Sequence, residues 1–209
     1  MPDFSLENKA SGFVVGFDEV GCGPWAGPVV AGAALLIFDK IPSTLVSEID
    51  DSKKLTRLRR QKLYDLIQEG QGDFCFTATG QASLEEIERL NIRQASFLAM
   101  ARAADALSLP IDIIPTLALV DGKCKPTLPY PVQCVPKGDS LSLSIAVASI
   151  VAKVTRDNFM KKIACQYPPY GWDHNAGYGT LHHRQALARF GVTPYHRRTF
   201  APIARLLAS

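Results

Sequence analysis

Acidic residues follow short apolar runs at two distant points of the chain. Asp18 and Glu19 come directly after one such run, and Asp121 follows another. A further acid, Asp139, stands in a Gly-Asp-Ser stretch just before a long apolar segment. An ionised acid beside a buried run costs desolvation free energy unless a cation or hydrogen-bond donors compensate it, so such acids tend to be functional. An acidic pair after a strand is, taken alone, more often a solvated turn.

The chemistry that these carboxylates could perform depends on whether they meet. If the first and fourth predicted strands are neighbours in one sheet, their acids converge at one edge. Oxygen ligands without histidine or thiolate favour Mg²⁺ or Mn²⁺ over zinc. Two such ions, held by shared carboxylates, activate a water and stabilise the leaving oxygen of a phosphodiester. The cluster therefore predicts metal-dependent phosphodiester hydrolysis.

A glycine-rich loop follows the first acidic pair. Gly21, Gly23 and Gly27 alternate with Pro24 and Pro28. Glycines lack Cβ and let backbone amides approach a ligand closely. Their spacing misses the G-x-G-x-x-G pattern, and the loop leads into a predicted strand, which argues against a dinucleotide site.

The elements that must position these residues follow from hydrophobic periodicity. The pattern predicts a long buried helix from residue 143, with Asp139 or Ser140 as its cap. A capping-box-like start at Ser83 predicts a short helix. The other predictions are strands at 13–17, 29–38, 73–81, 117–120 and 132–135, a loop or short helix at 41–51, and helices after 56, at 91–107 and at 180–190.

Basic residues crowd one predicted helix start and the end of the chain. The bases at the helix start adjoin free amides and the positive end of the dipole, so we favour phosphate contact over a merely solvated face. Near the end of the chain, aromatic stretches at 167–172 and 176–180 precede the basic run 196–198, a combination that suits contact with sugars and bases. The bases at the helix start are Lys53, Lys54, Arg57, Arg59, Arg60 and Lys62.

Composition narrows the class of protein. The chain has 209 residues, 47% of them hydrophobic, enough for one main domain. Its net charge of +3 permits a polyanionic partner. Five cysteines without a C-x-x-C pair argue against a disulfide framework or a zinc knuckle and favour a reducing cytoplasm. The start lacks a signal-peptide pattern, and no apolar run is long enough to cross a membrane.

The ordered set of motifs resembles the bacterial ribonuclease HII family. Any one motif is weak, but together they cover nearly the whole chain in the family's order. The matching stretches are GFDEVG with GP and AGPVV at 16–30, DSKKL at 51–55, DG at 121–122, KGDS at 137–140, ASIVAKVTRD at 148–157, GYGT at 177–180 and HRRTF at 196–200.

This resemblance implies an α/β architecture, the ribonuclease H-like fold, with a mixed five-stranded sheet flanked by helices and a small helical C-terminal extension. It divides the chain into an N-terminal tail at 1–12, a catalytic domain at 13–166 and an extension at 167–209 that contributes to substrate binding. A monomer is expected.

The resemblance also implies an activity, namely hydrolysis of the RNA strand of RNA–DNA hybrids and cleavage 5′ of single ribonucleotides in duplex DNA, leaving 3′-hydroxyl and 5′-phosphate ends. Two Mn²⁺ or Mg²⁺ ions would be held by Asp18, Glu19 and Asp121, with Asp139 completing the catalytic set. The backbone of Gly21, Cys22 and Gly23 would sense the ribose 2′-hydroxyl, Tyr178 would pack on the adjacent sugar, and Lys53, Lys54 and Lys153 would contact phosphates.

Three positions depart from the family pattern. Cys22 stands where an arginine is usual, so we predict that 2′-hydroxyl recognition survives while a phosphate contact is lost. Asn175-Ala176 replaces the common His-Lys pair. The final RLLAS lacks a clamp-binding tail, so recruitment by a sliding clamp is not expected.

Two rival functions remain. Gly138-Asp139-Ser140-Leu141 spells the signature of the GDSL esterases, but it comes late and no D-x-x-H pair follows, so Ser140 is better interpreted as a helix cap. A hybrid-binding module without catalysis predicts the loss of one or more acids, yet all four are present.

Overall fold

A computed structural model describes residues 1–50 and 55–208 and shows an α/β architecture. A five-stranded sheet carries the fold, and helices cover both of its faces. The strands are β1 (Phe13–Val20), β2 (Val29–Leu36), β3 (Cys75–Ala82), β4 (Pro115–Asp121) and β5 (Val132–Val135). The helices are α1 (Ser43–Glu48), α2 (Arg57–Glu69), α3 (Leu84–Leu90), α4 (Ile92–Ala106), α5 (Leu143–Gln166), α6 (Trp172–Asn175), α7 (Leu181–Phe190) and α8 (Ala201–Leu207).

The sheet is mixed, and its order brings the two acid-bearing strands together. The order is β3-β2-β1-β4-β5, with β1 antiparallel to β2 and parallel to β4. The register pairs Phe17 with Val120, so Asp18 and Asp121 follow at the same end of adjacent strands. The prediction that the first and fourth strands are neighbours is confirmed.

Strand β1 extends further than the apolar run suggested. Its pairing with β2 continues through Asp18↔Gly32 to Val20↔Val30, so both acids lie within the strand. Because side chains alternate across a strand, Asp18 and Glu19 point to opposite faces of the sheet. The apolar pattern alone predicts a strand that ends at residue 17, before the acids, whereas β1 continues to Val20.

Helix α5 crosses one face of the sheet at very close range. A Cβ on Gly16 would lie 2.2 Å from the Ser144 carbonyl carbon, and one on Gly32 would lie 2.2 Å from the Ala148 carbonyl oxygen. These glycines therefore let the helix backbone approach the sheet, and the predicted burial of α5 is confirmed. The predicted cap is wrong, because the Ser142 hydroxyl accepts the hydrogen bond from the Ile145 amide.

Helix α4 covers the opposite face. Its small residues Ala95, Ala99 and Ala103 are buried in one core cluster with Val15 and Phe17 of β1. The predicted capping box at the start of α3 is confirmed, with Ser83 and Glu86 exchanging hydrogen bonds.

Aromatic residues near the end of the chain form a core. Tyr170 and Trp172 are buried with Met160, Ile163 and Ala26, the last of which belongs to the glycine-rich loop. The C-terminal helices thus pack against the loop and the end of α5. The prediction of an aromatic, basic surface here is wrong for these two aromatics, which face inward.

The N-terminal residues are also packed on the fold. Phe4 is buried, and the Glu7 carboxylate accepts hydrogen bonds from the hydroxyls of Ser142 and Ser144. These contacts join the first residues to the start of α5. None of the helices found among the described residues has the length and apolar character that crossing a bilayer requires.

Candidate active site

Three acids from separate segments form one group at the end of β1 and β4. Asp18 lies on β1, Asp121 ends β4, and Asp139 lies in a short 3-10 helix at Gly138–Ser140. Each offers a carboxylate oxygen, and these oxygens lie within 4.8 Å of one another. Asp18 is 2% exposed and Asp139 is 4% exposed. Residues more than a hundred positions apart along the chain therefore share one small site.

Backbone hydrogen bonds orient two of these carboxylates. The Gly138 amide donates to Asp121 Oδ1 at 2.7 Å, and the Glu19 amide donates to Asp18 Oδ1 at 2.8 Å. Lys137 precedes the 3-10 helix in the left-handed conformation, with φ of 59°. The contact between Gly138 and Asp121 joins the segment that carries Asp139 to the end of β4.

The three carboxylates match the ligands of a hard divalent cation. Ionised carboxylates this close repel one another, and a divalent cation between them offsets that repulsion. An all-oxygen donor set suits Mg²⁺ or Mn²⁺. When bound, such a metal supplies Lewis-acid stabilisation and lowers the pKa of a coordinated water. Asp18, Asp121 and Asp139 are the residues that would hold it.

Glu19 lies at the same end of the sheet but on the other face. It lines a cavity of about 270 Å³ together with Asp121, Cys22 and residues of α4. The Cys22 thiol donates a weak hydrogen bond to Glu19 Oε1 at 3.8 Å. Burial, and then the charge of Glu19, raise the pKa of Cys22 to about 12, so this thiol stays neutral. Cys22, which departs from the pattern of the resembled family, thus lies beside an acid.

The glycine-rich loop and Tyr178 are brought to the same place. A Cβ on Gly23 would lie 3.4 Å from Cε1 of the Tyr178 ring, which is ordinary van der Waals contact. Tyr178 is 50% exposed although it is a large aromatic residue. The ring therefore lies against the loop that follows the first acids, with one side open to solvent.

Comparison with known proteins agrees with this arrangement. A family model described as Ribonuclease HII matches residues 15–203. The chain belongs to the ribonuclease HII family. It is 51% identical over 207 residues to the ribonuclease HII of Paramagnetospirillum magneticum, covering 99% of both chains. It is 53% identical over 203 residues to that of Zymomonas mobilis, covering 97% of this chain and 91% of the relative.

Solved structures show the same fold. The crystal structure of the ribonuclease H2 from Pyrococcus horikoshii OT3 superimposes with a TM-score of 0.75 at 26% identity, covering 93% of this chain and 96% of that one. The predicted ribonuclease H-like architecture is confirmed. As a ribonuclease HII family member, the chain is a phosphodiester hydrolase of the ribonuclease H type, a superfamily that works with divalent metals.

Of the three lysines predicted to contact phosphates, the structure describes only Lys153. Lys53 and Lys54 lie outside the described residues. Lys153 Nζ is 2.7 Å from Asp157 Oδ1, an ion pair one helical turn apart on α5. It lines a second, smaller cavity with Arg57 and Arg60 of α2. A phosphate contact by Lys153 would therefore compete with Asp157.

Ser140 does not resemble an esterase nucleophile. Its hydroxyl donates to the Lys137 carbonyl oxygen at 2.8 Å. A nucleophilic serine instead needs a base within hydrogen-bond reach. The structure places Ser140 in the short 3-10 helix, where this hydrogen bond stabilises the turn.

Sequence reasoning missed a buried arginine behind the glycine-rich loop. Arg197 is fully buried, although the basic run that contains it predicted a surface. Its guanidinium donates to three loop carbonyls: Gly21 at 2.6 Å, Cys22 at 3.1 Å and Gly27 at 2.9 Å. The HRRTF stretch was the available signal, but composition alone does not reveal burial.

A second buried arginine supports the remainder of the loop. Arg156 of α5 is fully buried. It donates to the carbonyls of Pro28 at 2.9 Å, Ala26 at 3.0 Å and Ala176 at 2.9 Å. A Cβ on Gly21 would lie 2.3 Å from its Nε. The loop glycine is therefore required for this approach.

Two buried histidines connect Thr193 to the Tyr178 carbonyl through a series of hydrogen bonds. The Thr193 amide donates to His196 Nδ1 at 2.9 Å, so the neutral His196 ring carries its proton on Nε2. That proton faces His183 Nε2 at 3.0 Å, which also accepts from Trp172 Nε1 at 3.3 Å. His183 therefore carries its proton on Nδ1 and donates to the Tyr178 carbonyl at 2.9 Å. One pair of neutral tautomers satisfies the whole chain of contacts.

Proposed function

We propose that this chain is an endoribonuclease that hydrolyses the RNA strand of RNA–DNA hybrids and cleaves on the 5′ side of single ribonucleotides in duplex DNA. The products would carry 3′-hydroxyl and 5′-phosphate ends. The proposal depends on one observation, the cluster of three carboxylates formed by Asp18, Asp121 and Asp139 at the edge of a ribonuclease H-like sheet. Family membership supports the reaction type.

Two Mn²⁺ or Mg²⁺ ions are proposed as cofactors. Asp18 and Asp121 would be ligands to them, and the position of Asp139 supports its membership of the set. Glu19 is on the other face of the sheet but lines the cavity that Asp121 also lines, so it would act from that side. All of these donors are carboxylate oxygens, as hard cations prefer.

Selection for RNA would come from the loop and the aromatic ring beside it. Backbone amides of Gly21, Cys22 and Gly23 would donate to the ribose 2′-hydroxyl, the group that distinguishes RNA from DNA. Tyr178 would pack on the sugar next to the junction, and its exposed position against Gly23 supports this role. Monomeric action in the cytoplasm stays a prediction from the sequence.

The test uses duplex DNA that carries one ribonucleotide, labelled in turn at the 5′ and 3′ end of the modified strand. With Mg²⁺ or Mn²⁺ we expect one cut, and the mobility of both fragments before and after phosphatase treatment identifies the bond and the ends. Asp121→Asn should abolish cleavage, whereas Asp112→Asn should not, because Asp112 is an exposed acid that precedes the start of β4, at the opposite end of that strand from Asp121. Cleavage by Asp121→Asn at the wild-type rate would refute the assignment.

A further inference from the structure

We infer that Arg197 is a positioning residue that aims the backbone amides of Cys22 and Gly23 at the substrate. The inference rests on the proposed function, because it concerns how the loop recognises the ribose. Arg197 lies behind the loop and does not itself touch the substrate. Its role would be to fix the direction of two neighbouring peptide groups.

The direction follows from peptide geometry. Arg197 Nη2 binds the Gly21 carbonyl at 2.6 Å and Nη1 binds the Cys22 carbonyl at 3.1 Å. In a planar trans peptide the C=O and the following N–H point in opposite directions. Because both carbonyls face one guanidinium, the amides of Cys22 and Gly23 both face away from it. Two successive amides directed to one side form a donor pair for an oxygen.

The outward side of the loop is the side that a substrate can reach. Gly23 is exposed and Cys22 is half-buried, whereas Arg197 is fully buried. Within the part of the chain that the structure describes, neither the Cys22 nor the Gly23 amide donates a hydrogen bond to a protein acceptor. The half-exposed Tyr178 ring lies in contact range of the Gly23 Cβ position. The two donors are thus directed where a sugar could lie.

The charge of Arg197 adds to the effect of its position. Among the residues that the structure describes, it forms no ion pair with a carboxylate, and its guanidinium carbon lies 5.0 Å from the centre of the Phe200 ring. Burial, and then the neighbouring Arg156, lower the pKa of this guanidinium. A cation bound to a carbonyl polarises the peptide, which strengthens its N–H as a donor. Burying such a cation costs stability, and a recognition role gives a reason for that cost.

The experiment measures the preference for a ribonucleotide in the absence of cleavage. Binding of a duplex with one ribonucleotide and of the same all-DNA duplex is followed by fluorescence anisotropy in EDTA, for wild type and Arg197→Lys. Lysine keeps the charge but cannot bridge two carbonyls as a planar fork does. We expect Arg197→Lys to reduce the ratio of the two affinities to less than a third of the wild-type value. Affinity for the all-DNA duplex should change less than twofold.

Arg156→Lys is the matched control. It removes an equally buried guanidinium, but one that holds the carbonyls of Ala26, Pro28 and Ala176 and not those of Gly21 and Cys22. Melting temperatures of both variants are measured alongside. We expect both to lose stability and only Arg197→Lys to lose the preference. An equal loss of preference in both would refute a specific role for Arg197.

The other outcomes separate the inference from the proposed function. A wild-type protein without any preference for the ribonucleotide would refute 2′-hydroxyl recognition itself. A wild-type preference retained by Arg197→Lys would refute the positioning role alone. If Arg197→Lys does not fold, Phe200→Leu replaces it, since this change removes the ring that packs on the guanidinium and so loosens the position from which it holds the two carbonyls. An intermediate fall in preference is then expected, and a wild-type ratio refutes the inference.

Discussion

Acidification should destabilise this protein through the buried His196. Burial, and then the neighbouring His183, lower the pKa of His196 to about 4, from an ordinary value of 6.5. Protonation would also place a second N–H against the Thr193 amide that now donates to Nδ1. The folded state therefore resists a proton that the unfolded chain accepts below about pH 6.5.

The size of the effect follows from the difference between the two pKa values. Each unit corresponds to about 1.4 kcal/mol. The folded state loses stability progressively as pH falls below 6.5 and stops losing it below the folded pKa of about 4. Between pH 7 and pH 4.5 the loss assigned to His196 is about 2 to 3 kcal/mol. The lowered pKa of His183 acts in the same direction.

Urea unfolding at pH 7 and pH 4.5, for wild type and His196→Asn, isolates this contribution. Asparagine Oδ1 can accept the Thr193 amide as Nδ1 does, but it does not titrate. Titration of carboxylates and histidines that do not contact His196 is shared by the two proteins and cancels in the comparison. We expect the gap in unfolding free energy between wild type and variant to shrink by about 2 to 3 kcal/mol at pH 4.5. A gap that is the same at both pH values would refute the reasoning.

Four further predictions concern single changes. His183→Asn can still donate a hydrogen bond to the Tyr178 carbonyl and should keep the wild-type KM. His183→Gln cannot reach that carbonyl and should raise KM several-fold. Equal KM values for the two variants would contradict a role of this hydrogen bond in placing Tyr178. Asp18→Asn should raise the metal-free melting temperature by relieving repulsion and abolish the rise that Mn²⁺ causes in wild type, as differential scanning fluorimetry would show. Gly32→Ala should cost about 1 to 3 kcal/mol in urea unfolding, because its Cβ would lie 2.2 Å from a carbonyl oxygen of α5. Cys22→Arg should tighten hybrid binding in anisotropy titrations, and unchanged affinity and turnover would show the substitution to be immaterial.

Local pattern was enough for most secondary structure and for the acids. Alternation and β-branched composition placed β5 at 132–135, where the structure has it, and capping chemistry located the start of α3. Asp18 and Asp121 were found because an acid directly after an apolar run is visible in one dimension. Their convergence was conditional on strand order, which local pattern does not encode.

The end of β1 and the cap of α5 needed tertiary contacts. Pairing with β2 carries β1 through its acids, so Glu19 points to the α4 face while Asp18 joins Asp121 and Asp139. Ser142 caps α5, because Asp139 and Ser140 belong to the 3-10 helix that precedes it. Neighbouring hydroxyl and acid residues are equivalent caps in sequence, and only the path of the backbone chooses among them.

The order of residues is enough to identify the chemistry: carboxylates next to buried strands, a glycine-rich loop, and an ordered set of motifs that identifies the family. The groups that support that chemistry are set by folding. The sequence predicts a surface position for Arg197, because a charged residue is normally solvated. It is buried because carbonyls of the loop, some 170 residues earlier in the chain, replace its water. Burial of a charge depends on partners brought by folding, and no local pattern records where those partners will be.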